Sequence, residues 1–367
     1  MRLAAAAAGL VIVGAAPRLL LAAGVLPPVL HPFVWSDLLY TWERGLSGGR
    51  VPFWDSYFEY PPLGGYLSGV FSLVASGPLV YLLLWTVVQA AAGAVVAWGI
   101  APSGRAARWC WSLAPQLALF GPTNFDLIAV AAVVVALRWE RDHGAVRSAI
   151  ALAVGTATKL FPAVVLPVFL VRSPFDRRSA FVRVAVFAAV LVASYAPGAA
   201  APYSTLESLR RYSVGGITNF DSFWGLVESV LVGLGLPAET LMSAVTLIGL
   251  AITYVVFVIG PARRARDASA PAAVAVLSVL LWSRLYSPQF SLWALPFFAL
   301  AALPVRAFVL LTVADVGVFL TVYPLTLTER LAVDVRDLLL ATLAAAVVLR
   351  HVALLLAWRA AVRSSTS

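Results

Sequence analysis

Cysteine, histidine, lysine and charge in general are scarce in this 367-residue chain. The one cysteine, Cys110, excludes an internal disulfide. The three histidines, His31, His143 and His351, fall in separate stretches, which argues against a histidine-rich metal site. Lys159 is the only lysine in a chain with 26 Lys and Arg residues, an imbalance that fits, with the abundant alanine, a GC-rich coding bias. Charged residues make up 12% of the chain, against roughly 25% in a soluble domain. So few polar residues exclude a disordered or low-complexity chain. What is present instead is apolar: 62% of residues are hydrophobic and the mean hydropathy is +0.92. No soluble fold can hide that much apolar surface, so lipid must be part of the solvent.

The net charge of +9 raises the question of nucleic acid. Its distribution gives another answer. Basic residues gather in short clusters between apolar runs, such as Arg105/Arg108, Arg138/Arg141/Arg147, Arg172/Arg177/Arg178/Arg183 and Arg263/Arg264/Arg266. That is the pattern of cytoplasmic loops facing anionic lipid, and no nucleic-acid motif accompanies it. Placing these clusters inside fixes the rest by parity. The chain is expected to be all-α and polytopic, one domain over residues 1–367, with about 12 spans and both ends inside. Span 1, Leu3–Val25, is read as an uncleaved span and not a signal peptide. The first outer loop covers residues 27–79, and its apolar stretch Pro62–Ser76 is expected to be a juxtamembrane helix. Trp109–Phe120 is expected to be span 3, and span 12 is expected to end near Arg350. Ser148–Val171 lies between two basic clusters and must go out and come back, in limbs of about 12 residues or roughly 18 Å. Lys159 then sits at the turn, below the outer surface, beside a polar cavity.

On this topology the unusual polar residues collect outside. Trp35-Ser36-Asp37-Leu38-Leu39-Tyr40-Thr41-Trp42-Glu43-Arg44 is the densest stretch. If residues 36–46 are helical, Asp37, Tyr40, Thr41 and Arg44 share one face at i, i+3, i+4 and i+7. Carboxylates interleaved with aromatics suit a sugar, whose apolar faces stack on rings while its hydroxyls donate to acids. The bland alternative is an interfacial aromatic belt with solvated charges. A second outer stretch carries Glu207, Arg210, Arg211, Asn219 and Asp221, and Asp315 lies inside a span, where it would be costly unless hydrogen-bonded to a neighbour.

Four segments in order carry a resemblance. They are Asp37-x-x-Tyr40 followed by Phe58-Glu59-Tyr60-Pro61-Pro62-Leu63; Gly121-Pro122-Thr123-Asn124; Ala157-Thr158-Lys159-Leu160-Phe161-Pro162; and Ser287-Pro288-Gln289-Phe290-Ser291-Leu292-Trp293. Together they resemble the polytopic GT-C glycosyltransferases, most of all glycosyltransferase family 87, the polyprenol-phosphate-mannose-dependent mannosyltransferases and relatives. The second segment departs from that family's Gly-Gln-x-Asn turn at the glutamine. The resemblance implies a general-base role for Asp37. It implies a polyprenyl-phosphate sugar donor, mannose by preference, and a glycolipid or glycan acceptor at the outer face of the plasma membrane. A phosphate leaving group needs a base and cations but no strong acid. Lys159 and Arg284 are the candidate phosphate-binding cations; Tyr40, Arg44, Glu59, Tyr60, Asn124, Asp126, Tyr286 and Gln289 are candidate substrate contacts. No cofactor or metal is expected, although Asp37, Glu59 and Asp126 could hold a divalent cation if they converge. The rival reading is a polytopic transporter or lipid-linked sugar flippase. That class predicts inverted repeats and charges at the membrane midplane, where this chain piles its polarity on one side.

Overall fold

A computed structural model describes residues 1–142, 144–172, 177–214, 218–328 and 331–366. His143 and the side chains of Arg105 and Arg211 lie outside the described residues. The described chain is helical with no strand, beyond one isolated bridge between Pro52 and Ser56. A membrane dictates this, because a helix satisfies its own backbone polar groups where no water is available.

Six helices are long and apolar enough to cross a bilayer. They are α1 (Arg2–Ala22), α4 (Pro78–Gly99), α10 (Arg177–Ala199), the stretch Ala238–Ala262, α17 (Val305–Leu327) and α18 (Val333–Thr366). Ala238–Ala262 consists of α13 (Ala238–Thr253), a wide π turn at Tyr254–Ile259 and α14 (Gly260–Ala262). The other helices are shorter than the ~20 residues of an ordinary span, although the longest of them, Asp126–Arg141, still rises about 24 Å. They are α2 (Asp37–Thr41), α3 (Pro62–Val74), α5 (Arg105–Ser112), α6 (Pro115–Leu119), α7 (Asp126–Arg141), α8 (Ala145–Thr158), α9 (Leu166–Val171), α11 (Thr205–Val214), α12 (Phe223–Gly233), α15 (Ser269–Trp282) and α16 (Ser291–Leu300). By length and composition six of the described helices qualify as crossings, and the expected dozen is not confirmed.

Three boundaries differ from expectation for identifiable reasons. Trp109–Phe120 is not one span, because the helix stops at Ser112 and restarts at Pro115. Proline has no N–H for the helical ladder and its ring restricts the residue before it, so Ala114 turns extended. The last helix does not end near Arg350 but runs on to Thr366, since nothing between them breaks helical geometry. Residues 36–46 are not one regular helix. Ser36 caps α2 by accepting from the Leu39 N–H at 3.2 Å, and the chain then widens into a π turn at Trp42–Leu46. The expected break at Lys159 is present: α8 ends at Thr158, Lys159 is extended, and a 3-10 turn at Phe161–Val165 leads into α9. The short helix within the first loop is present as α3.

The helices pack as neighbours in the pairs α1–α4, α4–α7, α7–α8, α8–α10, α15–α18 and α17–α18. Small residues allow the closest approaches, as is usual where helix association depends on van der Waals fit. A Cβ on Gly14 of α1 would lie 1.9 Å from the Ala118 carbonyl oxygen of α6, so only glycine fits there. Seen along the chain, α7 leaves the Asp126 region and α8 returns to it, and this pair positions the site.

Candidate active site

Asp37 opens α2, and its carboxylate is claimed from three directions. Trp35 Nε1 donates to Oδ1 at 2.6 Å, and Asn124 Nδ2 and Gln289 Nε2 donate to Oδ2 at 2.7 and 3.1 Å. Asn124 comes from the turn before α7, and Gln289 from the 3-10 turn Pro288–Phe290 before α16. The carboxylate is half-buried, so it stays within reach of a ligand.

The Asn124 amide also donates to Tyr60 Oη at 3.0 Å. Its own oxygen accepts from the Phe125 N–H at 2.7 Å, which fixes the amide's orientation. The Asn124 backbone carbonyl accepts from Gln89 of α4. Phe125 is locked edge-on to Tyr60 at 5.0 Å and against Trp85 at 5.6 Å.

Lys159 is buried beneath this layer. Its Nζ lies 4.3 Å from the Tyr60 ring centre, 5.2 Å from that of Phe125 and 5.7 Å from that of Phe290. Its ion partner is Asp126, at 3.6 Å. The other Asp126 oxygen accepts from Trp293 Nε1 at 2.8 Å. Trp293 is sandwiched between Phe161 and Phe290, with ring centres 4.1 and 4.0 Å apart. The four segments singled out in the sequence therefore meet: Asp37 and Tyr60, Asn124, Lys159 with Phe161, and Gln289 with Trp293.

Beside this cluster opens a cavity of about 340 Å³, lined among others by Tyr40, Arg44, Arg50, Glu59, Tyr60 and Tyr203. Tyr60 belongs to both places: it lines the cavity and its hydroxyl is bonded within the Asp37 cluster. Arg44 and Tyr40 pair through a 3.4 Å hydrogen bond and face the cavity, while the Asp37 carboxylate turns toward Asn124 and Gln289. Behind the cavity wall, Phe53 packs on Phe58 with a φ of +71°, unusual for a side chain of that size. Contacts with Phe58 and Tyr66, and the hydrogen bond from the Tyr203 N–H to its carbonyl, hold it there.

Two predicted site residues lie elsewhere. Arg284 donates to Thr218 Oγ1 at 2.8 Å and Ser243 Oγ at 2.5 Å, and pairs with Glu228 at 3.4 Å, with no contact to the Asp37 cluster. Tyr286 is buried, its hydroxyl 3.0 Å from Ser291 Oγ and its ring 4.1 Å from the Arg350 guanidinium carbon. Ser291 donates in turn to Asp315 at 2.7 Å, and Gln116 donates to the other Asp315 oxygen at 3.0 Å. This network anchors the turn that carries Gln289. The Arg350 guanidinium also donates to the backbone carbonyl of Asp221. Burial pushes the Asp221 carboxyl up to about 6, against the opposing pull of Arg350. Among the described residues no three His, Cys, Asp or Glu side chains gather as a metal site.

Arg18 was not foreseen. It is buried in α1 and donates to Trp35 O at 2.8 Å, Gly14 O at 2.7 Å, Leu119 O at 2.9 Å and Thr123 Oγ1 at 3.1 Å. One guanidinium thus ties the first helix to both segments that carry Asp37 and Asn124, and its charge attracts that of Asp37. The signal in the sequence was an arginine inside an apolar span, a position that membranes tolerate only for a reason.

A family model described as glycosyltransferase family 87 matches residues 57–288, more than half of the chain. The match takes in Phe58–Leu63, the turn at Asn124 and Lys159, and it leaves Asp37 and Gln289 outside. No curated protein and no solved structure matches.

Proposed function

The chain belongs to glycosyltransferase family 87, and on that premise we propose an inverting transfer of a sugar, mannose in the first instance, from a polyprenyl-phosphate donor to a glycolipid or glycan acceptor. Asp37 is the general base. The observation that carries this is the Asp37 carboxylate, held by Trp35, Asn124 and Gln289 and joined through the Asn124 amide to Tyr60, which lines the cavity. Each carboxylate oxygen can accept about two hydrogen bonds. Oδ2 takes two from protein and Oδ1 takes one, which leaves Oδ1 a site for the acceptor hydroxyl.

In the reaction the acceptor oxygen attacks the anomeric carbon, its proton passes to Asp37, and the C–O bond to phosphate breaks on the opposite face. The lipid phosphate leaves with the bonding pair. Cations must meet the charge that develops there. Arg44 and Arg50 line the cavity and are exposed, so they can reach a phosphate directly. Lys159, deeper and paired with Asp126, adds a fixed positive charge beneath Tyr60. The site faces the exterior of the plasma membrane.

The test is Asp37→Asn in purified protein supplied with polyprenyl-phosphate sugars, with product identified by mass spectrometry. The amide keeps the shape and loses the base, so turnover should fall by about 10²–10⁴, the usual contribution of a general base, while donor binding persists. Undiminished turnover would remove Asp37 from the mechanism.

A further inference from the structure

A second cavity, of about 390 Å³, lies at the opposite ends of α7 and α8 from Asp37, and the transfer reaction does not use it. Its walls carry Arg141, Arg172, Arg183 and Arg266 against Glu140 and Asp267, two positive charges in excess. The pairing within it is unequal. Arg183 is buried and grips both oxygens of Glu140 with its two Nη groups, and Arg141 pairs with Asp267 at 2.8 Å. Arg172 has no carboxylate partner among the described residues. Its Nη groups donate to the backbone carbonyls of Ala265 and Arg266. The Arg266 guanidinium is exposed, without a side-chain partner among the described residues. The Nε atoms of both Arg172 and Arg183 are buried and have no acceptor among the described residues. Buried N–H groups of charged side chains are seldom left so, and an acceptor is the missing element.

The position of the cavity indicates which acceptor. From Asp126, beside Lys159, to Arg141 in the cavity wall, α7 has 16 residues, a rise of about 24 Å. The neighbouring α8 likewise has Ser148, bonded to Glu140, near one end and Lys159 just past the other. The cavity is therefore level with the membrane boundary opposite the active site, too far from it to serve as a donor-phosphate subsite. At that boundary the abundant anions are phospholipid head groups, whose phosphodiester oxygens match a guanidinium fork. We propose that this cavity binds the head group of an anionic phospholipid, with Arg172 and Arg266 as its principal donors and the Arg183–Glu140 pair as its floor. The proposal does not depend on the transfer chemistry.

Detergent-purified protein titrated with dioctanoyl phosphatidylglycerol, with binding read by native mass spectrometry and the thermal midpoint, tests it. Saturable binding is expected, with little from dioctanoyl phosphatidylcholine or inorganic phosphate at the same concentration. Arg172→Gln and Arg266→Gln should each weaken it about tenfold, the loss of one charge-assisted hydrogen bond. Arg359→Gln, an exposed arginine outside the cavity, should leave it unchanged. Arg266 bonds nothing through its side chain among the described residues, so its variant stays informative should Arg172→Gln fail to fold. Equal binding of phosphatidylcholine, an equal loss with Arg359→Gln, or full strength in Arg266→Gln would each overturn the proposal. Inorganic phosphate binding as tightly as the lipid would also overturn it, in favour of a small-anion site.

Discussion

At the scale of single residues, Asn124 is the hinge of the site. One amide group holds Asp37 Oδ2 at 2.7 Å and Tyr60 Oη at 3.0 Å, and so sets the proposed base relative to the ring that lines the cavity. Hydrogen bonds to a charged group are worth about 1.5–3 kcal/mol each. Asn124→Ala should therefore reduce kcat by roughly ten- to hundredfold, with a smaller change in KM, because the base loses its aim before the substrate loses its contacts. Asn124→Asp should be worse than Asn124→Ala. Its carboxylate is an acceptor with no N–H to offer, and it sets a like charge against Asp37. Steady-state kinetics of the two variants beside Asp37→Asn decide this. If Asn124→Ala turns over normally while Asp37→Asn is inactive, Asn124 is a bystander. Arg18 acts at the same scale but by geometry: its four acceptors lie on α1, Trp35 and the 119–123 turn, a set that a lysine's single ammonium could not span.

At the scale of elements, the hairpin of α8 and α9 places the only lysine of the chain. Its closure depends on Gly155, where a Cβ would lie 2.8 Å from Ala132 Cβ on α7 and 3.1 Å from the Pro162 ring just past the Lys159 turn. Gly155→Val should destabilise the protein by about 1–3 kcal/mol, the usual cost of overpacking. It should also depress turnover by moving Lys159 away from Asp126. Gly9→Val is the control, since nothing lies within 4 Å of a Cβ there. Thermal midpoints in detergent that fall equally for both would refute the packing argument. This hairpin was legible in the sequence because two basic clusters and too few residues between them left no other solution. The long apolar helices α1, α4 and α17 were legible for the plainer reason that hydropathy alone marks them. The break at Pro115 was missed because parity demanded a crossing, and that demand outweighed the local geometry of proline. The partners of Asp37 were legible only through the ordered segments, since its contact with Gln289 spans 252 positions and no periodicity links them. Arg284 shows where such reasoning stops: sidedness fixes a residue's depth in the membrane but not its lateral position in a helix bundle.

At the scale of the whole molecule, the two ends of α7 and α8 differ in kind. One end carries Asp37, Tyr60, Asn124 and Lys159, interleaved with aromatic rings; the other carries Glu140, Arg141, Arg183 and the basic loop around Arg266. A helix rise of about 24 Å separates them, close to the apolar thickness of a bilayer. This polarity suits the proposed transfer from a lipid-linked donor. The sugar must be handled at one water boundary, while the arginine-rich boundary fixes orientation, because clustered Lys and Arg resist translocation. The single native cysteine, Cys110, is buried, so a Cys110→Ala background permits a clean test. Asp55→Cys, in the exposed rim of the cavity, should react with a membrane-impermeant maleimide in intact cells. Arg266→Cys, also exposed but at the other end, should react only after the membrane is opened. The reverse pattern would place the active site in the cytoplasm and require a cytoplasmic acceptor. Labelling of both from outside would mean that α7 and α8 do not join opposite faces of the membrane, and the separation of the transfer site from the arginine cavity would fail with it.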